Sequence, residues 1–170
     1  MKYKPLPPLE ELKEFLDYNP DTGILIWKKK PNRRVKIGEA VGRDNGSGYL
    51  QTRYKRGFYL CSRLAYYIYH GVDPLQKQVD HINGNSLDNR IKNLRLATYS
   101  ENGMNRVGLS RRNTSGFTGV YWNKRDKRWG ARINPNGKQI HLGYFTDKED
   151  SIQARIEAEK KYFGEFRHGL

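Results

Sequence analysis

The chain has a single cysteine, Cys61, among its 170 residues. One thiol excludes an intramolecular disulfide framework and any cysteine-rich zinc site, and it suits a reducing compartment. Long apolar runs are missing too. None approaches the roughly 20 residues needed to cross a bilayer, and the N-terminal stretch MKYKPLPPLEELKEFL is too acidic and has too short an apolar core for a signal peptide. The expected setting is therefore cytoplasmic, in the cytoplasm or nucleoid of a cell, with no membrane partner. Acidic side chains are also scarce, 18 against 32 lysines and arginines, which leaves a net charge of +14. Such an excess points to a polyanionic partner. Twelve tyrosines and three tryptophans interleaved with the basic residues favour nucleic acid over a membrane surface, because aromatic rings stack on bases.

Taken in order, Leu9, Leu12, Phe15 and Leu16 share a helical face after Pro7 and Pro8. The cluster Asn19-Pro20-Asp21-Thr22-Gly23 predicts a turn, and residues 23–27 a short strand. Lys28 to Lys36 holds six basic residues and no acid, which fits either a solvated loop or one that contacts phosphates. After a glycine-rich loop over 38–48, residues 49–54 and 58–61 flank Lys55-Arg56-Gly57 as a β-hairpin. Ser62 is expected to cap a helix over 63–70 that Gly71 ends, with His70 structural at its last turn.

Residues 79–106, VDHINGNSLDNRIKNLRLATYSENGMNR, hold six asparagines and one histidine. Val79 to His81 should end a strand, Asn83-Gly84-Asn85 make a turn, and Leu94 to Ala97 return as a second strand. Thr98 with Glu101 forms a capping-box pattern, so a helix should begin there with Asn102 in its first turn, facing back toward the strand end. Hydrolysis of a phosphodiester needs a deprotonated water, a Lewis acid and stabilisation of extra negative charge. A neutral histidine can take the water's proton. A carboxylate and a carboxamide are hard oxygen ligands suited to Mg²⁺. Asn93 could orient the imidazole or brace the loop. Singly, such residues are more often caps and turns; their combination at these spacings is specific.

DHINGN…NRIKNLR…ENGMN resembles the HNH homing-endonuclease family, of phage or mobile-element type, and the likeness extends upstream through the 48–71 hairpin and helix. The resemblance implies a ββα-metal (His-Me finger) fold. It implies His81 as general base, Asp80 and Asn102 as ligands of one Mg²⁺ (or Mn²⁺), and Asn93 positioning the histidine loop. It also implies products with a 5′-phosphate and a 3′-hydroxyl. Ser62 stands where many relatives are expected to have a histidine, which bears on a substrate contact and not on the chemistry.

Residues 108–116 read as a basic linker containing Arg111 and Arg112. Beyond it, Val120 and Trp122, then Trp129, Ala131 and Ile133, then Ile140 and Leu142 alternate as three inward-facing strands. Thr146 and Glu149 form a second capping box opening a helix toward Phe163, with Ile152, Ile156 and Phe163 on one stripe. GVYW…KRWGARI…KQIHLGYF and the TDKED helix start resemble the AP2 DNA-binding domain, a three-stranded antiparallel sheet packed on one helix. The outward set is then Tyr121, Asn123, Arg132, Asn134, Gln139 and His141, joined by Lys124 and Arg125 in the turn; these types contact bases and phosphates. Tyr121 and His141 stand where the plant transcription-factor version would carry arginine and tryptophan. Trp122 and Trp129 are read as sheet core in preference to base-stacking rings.

The fold class is thus α+β, with an HNH nuclease domain over 1–107, a linker over 108–116 and an AP2-like domain over 117–170. The expected activity is site-selective cleavage of double-stranded DNA. One metal site per chain makes nicking the default, and a double-strand break needs a dimer or two events. The rival from another class is a non-catalytic AP2-type regulator that retains an HNH scaffold. An intact Asp80, His81, Asn93 and Asn102 argues against it, since binding alone requires no such set. A ribonuclease or repair nuclease would use the same site on another substrate.

Overall fold

A computed structural model describes residues 5–105 and 108–167. Arg106 and Val107, which end the asparagine-rich stretch and the expected nuclease domain, lie outside the described residues. The chain divides into two compact units, 1–98 and 99–170. Small antiparallel sheets and a few helices build both, a mixed α and β architecture.

In the first unit, helix α1 (Leu9–Phe15) begins after Pro8, and its Leu12 is fully buried. Proline suits a helix start because the first N–H groups lack intrahelical partners in any case. The chain then extends at Leu16 into β1 (Leu16–Tyr18), which pairs antiparallel with β2 (Leu25–Trp27). The turn between them is built by Asn19, whose Oδ1 accepts from the N–H groups of Asp21 and Thr22, and by Gly23 at φ +75°. A second sheet, in order β3 (Arg43–Asp44), β4 (Leu50–Tyr54) and β5 (Gly57–Leu60), leads into α2 (Cys61–His70). Leu16, Leu25, Trp27, Tyr54, Leu64 and Ala65 join Leu12 in one apolar core.

Helix α2 starts earlier than expected, at Cys61. Leu60 holds the N-cap position without a side-chain cap, and Ser62 is buried within the first turn instead of capping it. Gly71 ends the helix in the left-handed region, donating its N–H to Tyr67 O. Arg63 is buried and pins the segment after the helix, donating from Nη1 to Lys77 O at 2.8 Å and from Nη2 to Leu75 O at 3.0 Å. That segment feeds β6 (Gln78–His81), which pairs antiparallel with β7 (Leu94–Ala97). Helix α3 (Tyr99–Met104) follows directly, as the expected helix should, and is grouped with the second unit.

The second unit holds an antiparallel meander of β8 (Val120–Asn123), β9 (Arg128–Ile133) and β10 (Ile140–Phe145), with β9 central, and α4 (Lys148–Phe163) packs against β9 and β10. The sheet-plus-helix order is the expected one, but two details differ. Asp147, not Thr146, precedes α4, and no side chain caps it. The buried stripe of α4 is Ser151, Arg155, Ala158 and Phe163, while Ile152 and Ile156 are half-buried. Arg155 takes the place of an apolar residue because its guanidinium is satisfied there: Nη1 donates to Arg132 O and Nε to Glu159. Space for it comes from Gly119, at φ +79°, where a Cβ would sit 2.4 Å from Arg132 O and 2.7 Å from Arg155 Nη1. Trp122 also departs from its expected place. It shares the inner face with Val120 and Ala131 by register, yet it stands at the sheet end, 43% exposed and edge-on to Trp129 at 5.2 Å.

Two outcomes follow from this packing. Gly119→Ala should destabilise the second unit by about 2 kcal/mol or more through αL strain and the backbone clash, read as a lowered denaturant midpoint. Burial pushes the Cys61 thiol up to about 12, so the native protein should resist alkylation by iodoacetamide from pH 7 to 9, while the unfolded chain reacts as pH approaches an ordinary thiol pKa of about 8.5.

Candidate active site

Strand β6 delivers Asp80 and His81 side by side at its end, 4% and 5% exposed. Asp80 lies directly across from Arg95 on β7, and Arg95 Nε donates to Asp80 Oδ2 at 2.9 Å. This pair is almost wholly buried, so removing one partner alone would leave an uncompensated charge costing on the order of 3–5 kcal/mol. The guanidinium thus fixes the carboxylate's position. Burial pulls the His81 imidazole below its ordinary pKa, opposed by its hydrogen bond with Asn89 and by the charges of Asp80 and Asp88. A neutral ring at physiological pH is the form a general base requires.

Between the strands, residues 82–93 form a return loop ending in a short 3-10 turn over 91–93, held by asparagine side chains, by Asp88 with Arg90, and by the Ser86 hydroxyl, which donates to Gly48 O. Asn93 is its clamp. Its Oδ1 accepts from Asn83 N at 2.9 Å and its Nδ2 donates to Asp88 O at 2.8 Å. Its backbone carbonyl takes Ile82 N–H at 2.9 Å. Asp88 adds a second fastening, accepting from Arg90 Nε at 2.7 Å and from Asn83 Nδ2 at 2.9 Å. The Arg90 bonds, foremost, hold the Asp88 carboxyl down at about 2. Of the two roles expected of Asn93, these contacts are those of a brace. The contact to the imidazole belongs to Asn89, whose Oδ1 lies 3.0 Å from His81 Nε2 and which is 2% exposed. Reading the sequence missed Asn89; it had no mark beyond being one of six asparagines in the stretch.

The structure therefore gathers Asp80, His81, Asn89 and Asn93 in the first unit and places Asn102 on α3, within the second. Among the described residues, no group of three or more histidine, cysteine, aspartate or glutamate side chains stands ready to cage a metal. Asp80 by itself supplies a buried carboxylate, the kind of hard oxygen donor a divalent ion takes when water and substrate complete its shell.

Of the expected DNA-contacting residues, Tyr121, Asn123, Arg132 and His141 share the sheet face opposite the core by strand register. Arg132 lies over the Tyr121 ring, 5.3 Å from its centroid, and donates from Nη1 to Gln139 Oε1 at 3.3 Å. Lys124 and Arg125 are exposed in the β8–β9 turn, Asn134 is exposed just past β9, and Arg111 and Arg112 are exposed before the sheet. Tyr144 and Arg128 belong to this face as well. Tyr144 meets His141 edge-on at 4.5 Å. Strict alternation missed Tyr144 because a bulge shifts the register between His141 and Gly143. Tyr121 lies so close over Gly130 that a Cβ there would approach its ring carbon to 2.5 Å.

Comparisons with known proteins bear on the segment that carries this loop. Residues 59–104 match the HNH endonuclease family model, a span that includes β5, α2, β6, the loop, β7 and α3. Over 93 residues, 53% of this chain, the sequence is 34% identical to Protein 3.8 of Escherichia phage T7, covering 75% of that protein. No solved structure matches. With the histidine, its acidic neighbour and the braced return loop lying inside the matched span, the chain carries an HNH endonuclease domain and belongs to the family of phage T7 Protein 3.8.

Proposed function

We propose that the protein is a metal-dependent DNA endonuclease of the homing type, site-selective and nicking one strand per binding event. The observation that carries this reading is the buried Asp80–His81 pair at the end of β6, with its imidazole hydrogen-bonded and its loop braced by Asn93, inside the HNH-matched segment. His81 is the general base that takes a proton from the attacking water. The water oxygen bonds to phosphorus as the bond to the 3′-oxygen breaks, and the departing 3′-oxygen takes a proton from solvent water, leaving a 5′-phosphate and a 3′-hydroxyl. Asp80 and Asn102 would hold one Mg²⁺, or Mn²⁺ in its place, and the ion supplies Lewis acidity toward the phosphate and the departing oxygen. Asn93 keeps the loop from moving the base. The HNH match runs through Met104, past the 98/99 division, which supports a functional nuclease segment of 1–107 that takes in α3.

The AP2-like unit, 117–170 with its basic lead-in over 108–116, supplies affinity for double-stranded DNA. Its aromatic and basic outer face of Tyr121, Asn123, Arg132 and His141, flanked by Lys124, Arg125, Asn134, Gln139, Arg111 and Arg112, supports this part of the reading. Among the described residues no helix is long and apolar enough to cross a membrane.

His81→Ala should lower single-turnover cleavage by about 10²–10⁴-fold while leaving duplex affinity near the wild-type value; cleavage at the wild-type rate would refute the mechanism. The double change Lys124→Ala and Arg125→Ala should weaken binding and reduce the slope of log affinity against log salt by about 1 for each phosphate no longer neutralised, measured by fluorescence anisotropy.

A further inference from the structure

His81 meets a carboxamide whose own position is fixed from outside the loop. The Asn89 backbone carbonyl oxygen accepts a hydrogen bond from the Tyr18 hydroxyl at 2.7 Å, across 71 positions of sequence. The chain just beyond is tied as well, since Ile91 N donates to Pro20 O at 3.0 Å. Gly23 packs so closely on this backbone that a Cβ would stand 2.4 Å from Arg90 N and 2.5 Å from the Asn89 carbonyl carbon. On the other side, Asn93 Nδ2 holds Asp88 O. Asn89 is therefore restrained at the peptides before and after it. Three of these restraints, Tyr18, Pro20 and Gly23, come from the β1–β2 hairpin, which lies well outside the HNH-matched residues 59–104.

We propose that the N-terminal hairpin is a positioning element for the nuclease site, acting through Tyr18 and Asn89 to hold His81 as the Nε2–H tautomer with Nδ1 as its basic nitrogen. A carboxamide oxygen only accepts, so an imidazole nitrogen 3.0 Å from it must carry the proton. A neutral imidazole has one proton, and fixing it on Nε2 assigns the lone pair to Nδ1. Without this acceptor the Asn89 side no longer favours the Nε2–H form, so a smaller part of the population would present Nδ1 as the base. Burial, first of all, lifts the Tyr18 phenol to about 12, so it remains a donor at any assay pH. Tyr18 and Asn89 are positioning residues. Neither is assigned contact with DNA or metal.

The inference rests on His81 being the base, and its test separates the two ideas. Histidine ring nitrogens of the full-length protein should be read by ¹⁵N NMR at pH 8, alongside single-turnover cleavage of saturating duplex DNA. Wild type should show His81 with a protonated Nε2 and a pyridine-like Nδ1. Asn89→Ala should give averaged ring-nitrogen shifts and a cleavage rate about ten- to a hundredfold lower, with DNA affinity unchanged. Asn89→Asp, which keeps the acceptor, should restore the Nε2–H signature. Tyr18→Phe removes one hydroxyl and should shift both readouts in the same direction by less. An Nδ1–H tautomer in wild type, or an Nε2–H signature that survives Asn89→Ala, overturns the relay even if the protein cleaves DNA. If the NMR signatures change as stated while wild type has no nuclease activity, the proposed function fails and the structural relay stands. Circular dichroism identifies a variant that fails to fold, and Tyr18→Phe, the least disruptive change, then carries the decision through its NMR signature.

Discussion

A loop without apolar anchors can hold one shape only if its polar groups hold one another. Ile82 and Leu87, the large apolar side chains between His81 and Asn89, both face solvent, so this first part of the return from β6 depends on polar hydrogen bonds, whereas Ile91 nearer β7 packs against the apolar core. Asn93 supplies the decisive pair, closing Asn83 N–H and Asp88 C=O onto a single side chain. Such bonds contribute about 1 kcal/mol each when made, and removing one partner in a buried setting costs more. They also determine where Asn89 lies, and through it the imidazole. The proposed base is thereby held by hydrogen bonds made before any substrate arrives, as pre-positioning requires.

The same logic appears in the second unit. Arg155 is buried because three features meet: a carbonyl at Arg132, a carboxylate at Glu159, and the space left by Gly119. The opposite face of that sheet is left to aromatic and basic side chains that touch one another, Arg132 over Tyr121 and His141 against Tyr144. Residues already ordered in this way give up less conformational freedom when they engage a partner.

Much of this was legible in the residues. Period-two alternation and glycine turns marked the strands, and the Asp-His…Asn…Asn spacing singled out the segment that the HNH family model matches. Where reading failed, the cause was physical and local. Ser62 looked like a cap, but Leu60 already lies in the extended conformation that starts α2. The α4 stripe was read from apolar residues alone, and a buried arginine with full hydrogen bonding is invisible to that rule. Trp122 was placed on the correct face, yet facing inward does not bury a side chain at the end of a sheet. Tyr144 was missed because of a bulge, which shifts every later residue by one. Asn89 was illegible because its role comes from Tyr18 and Pro20, far away in sequence, and no local pattern reports a contact of that kind.

Hydrolysis of DNA by the site around His81 is read from the chemical state of the cut ends. Supercoiled plasmid incubated with the full-length protein and Mg²⁺ should become open circles that DNA ligase reseals, because the nick carries a 5′-phosphate and a 3′-hydroxyl, and EDTA should abolish the nick. Nicks that form equally well in EDTA, or that ligase cannot seal because a 3′-phosphate was left, would exclude metal-dependent hydrolysis at this site.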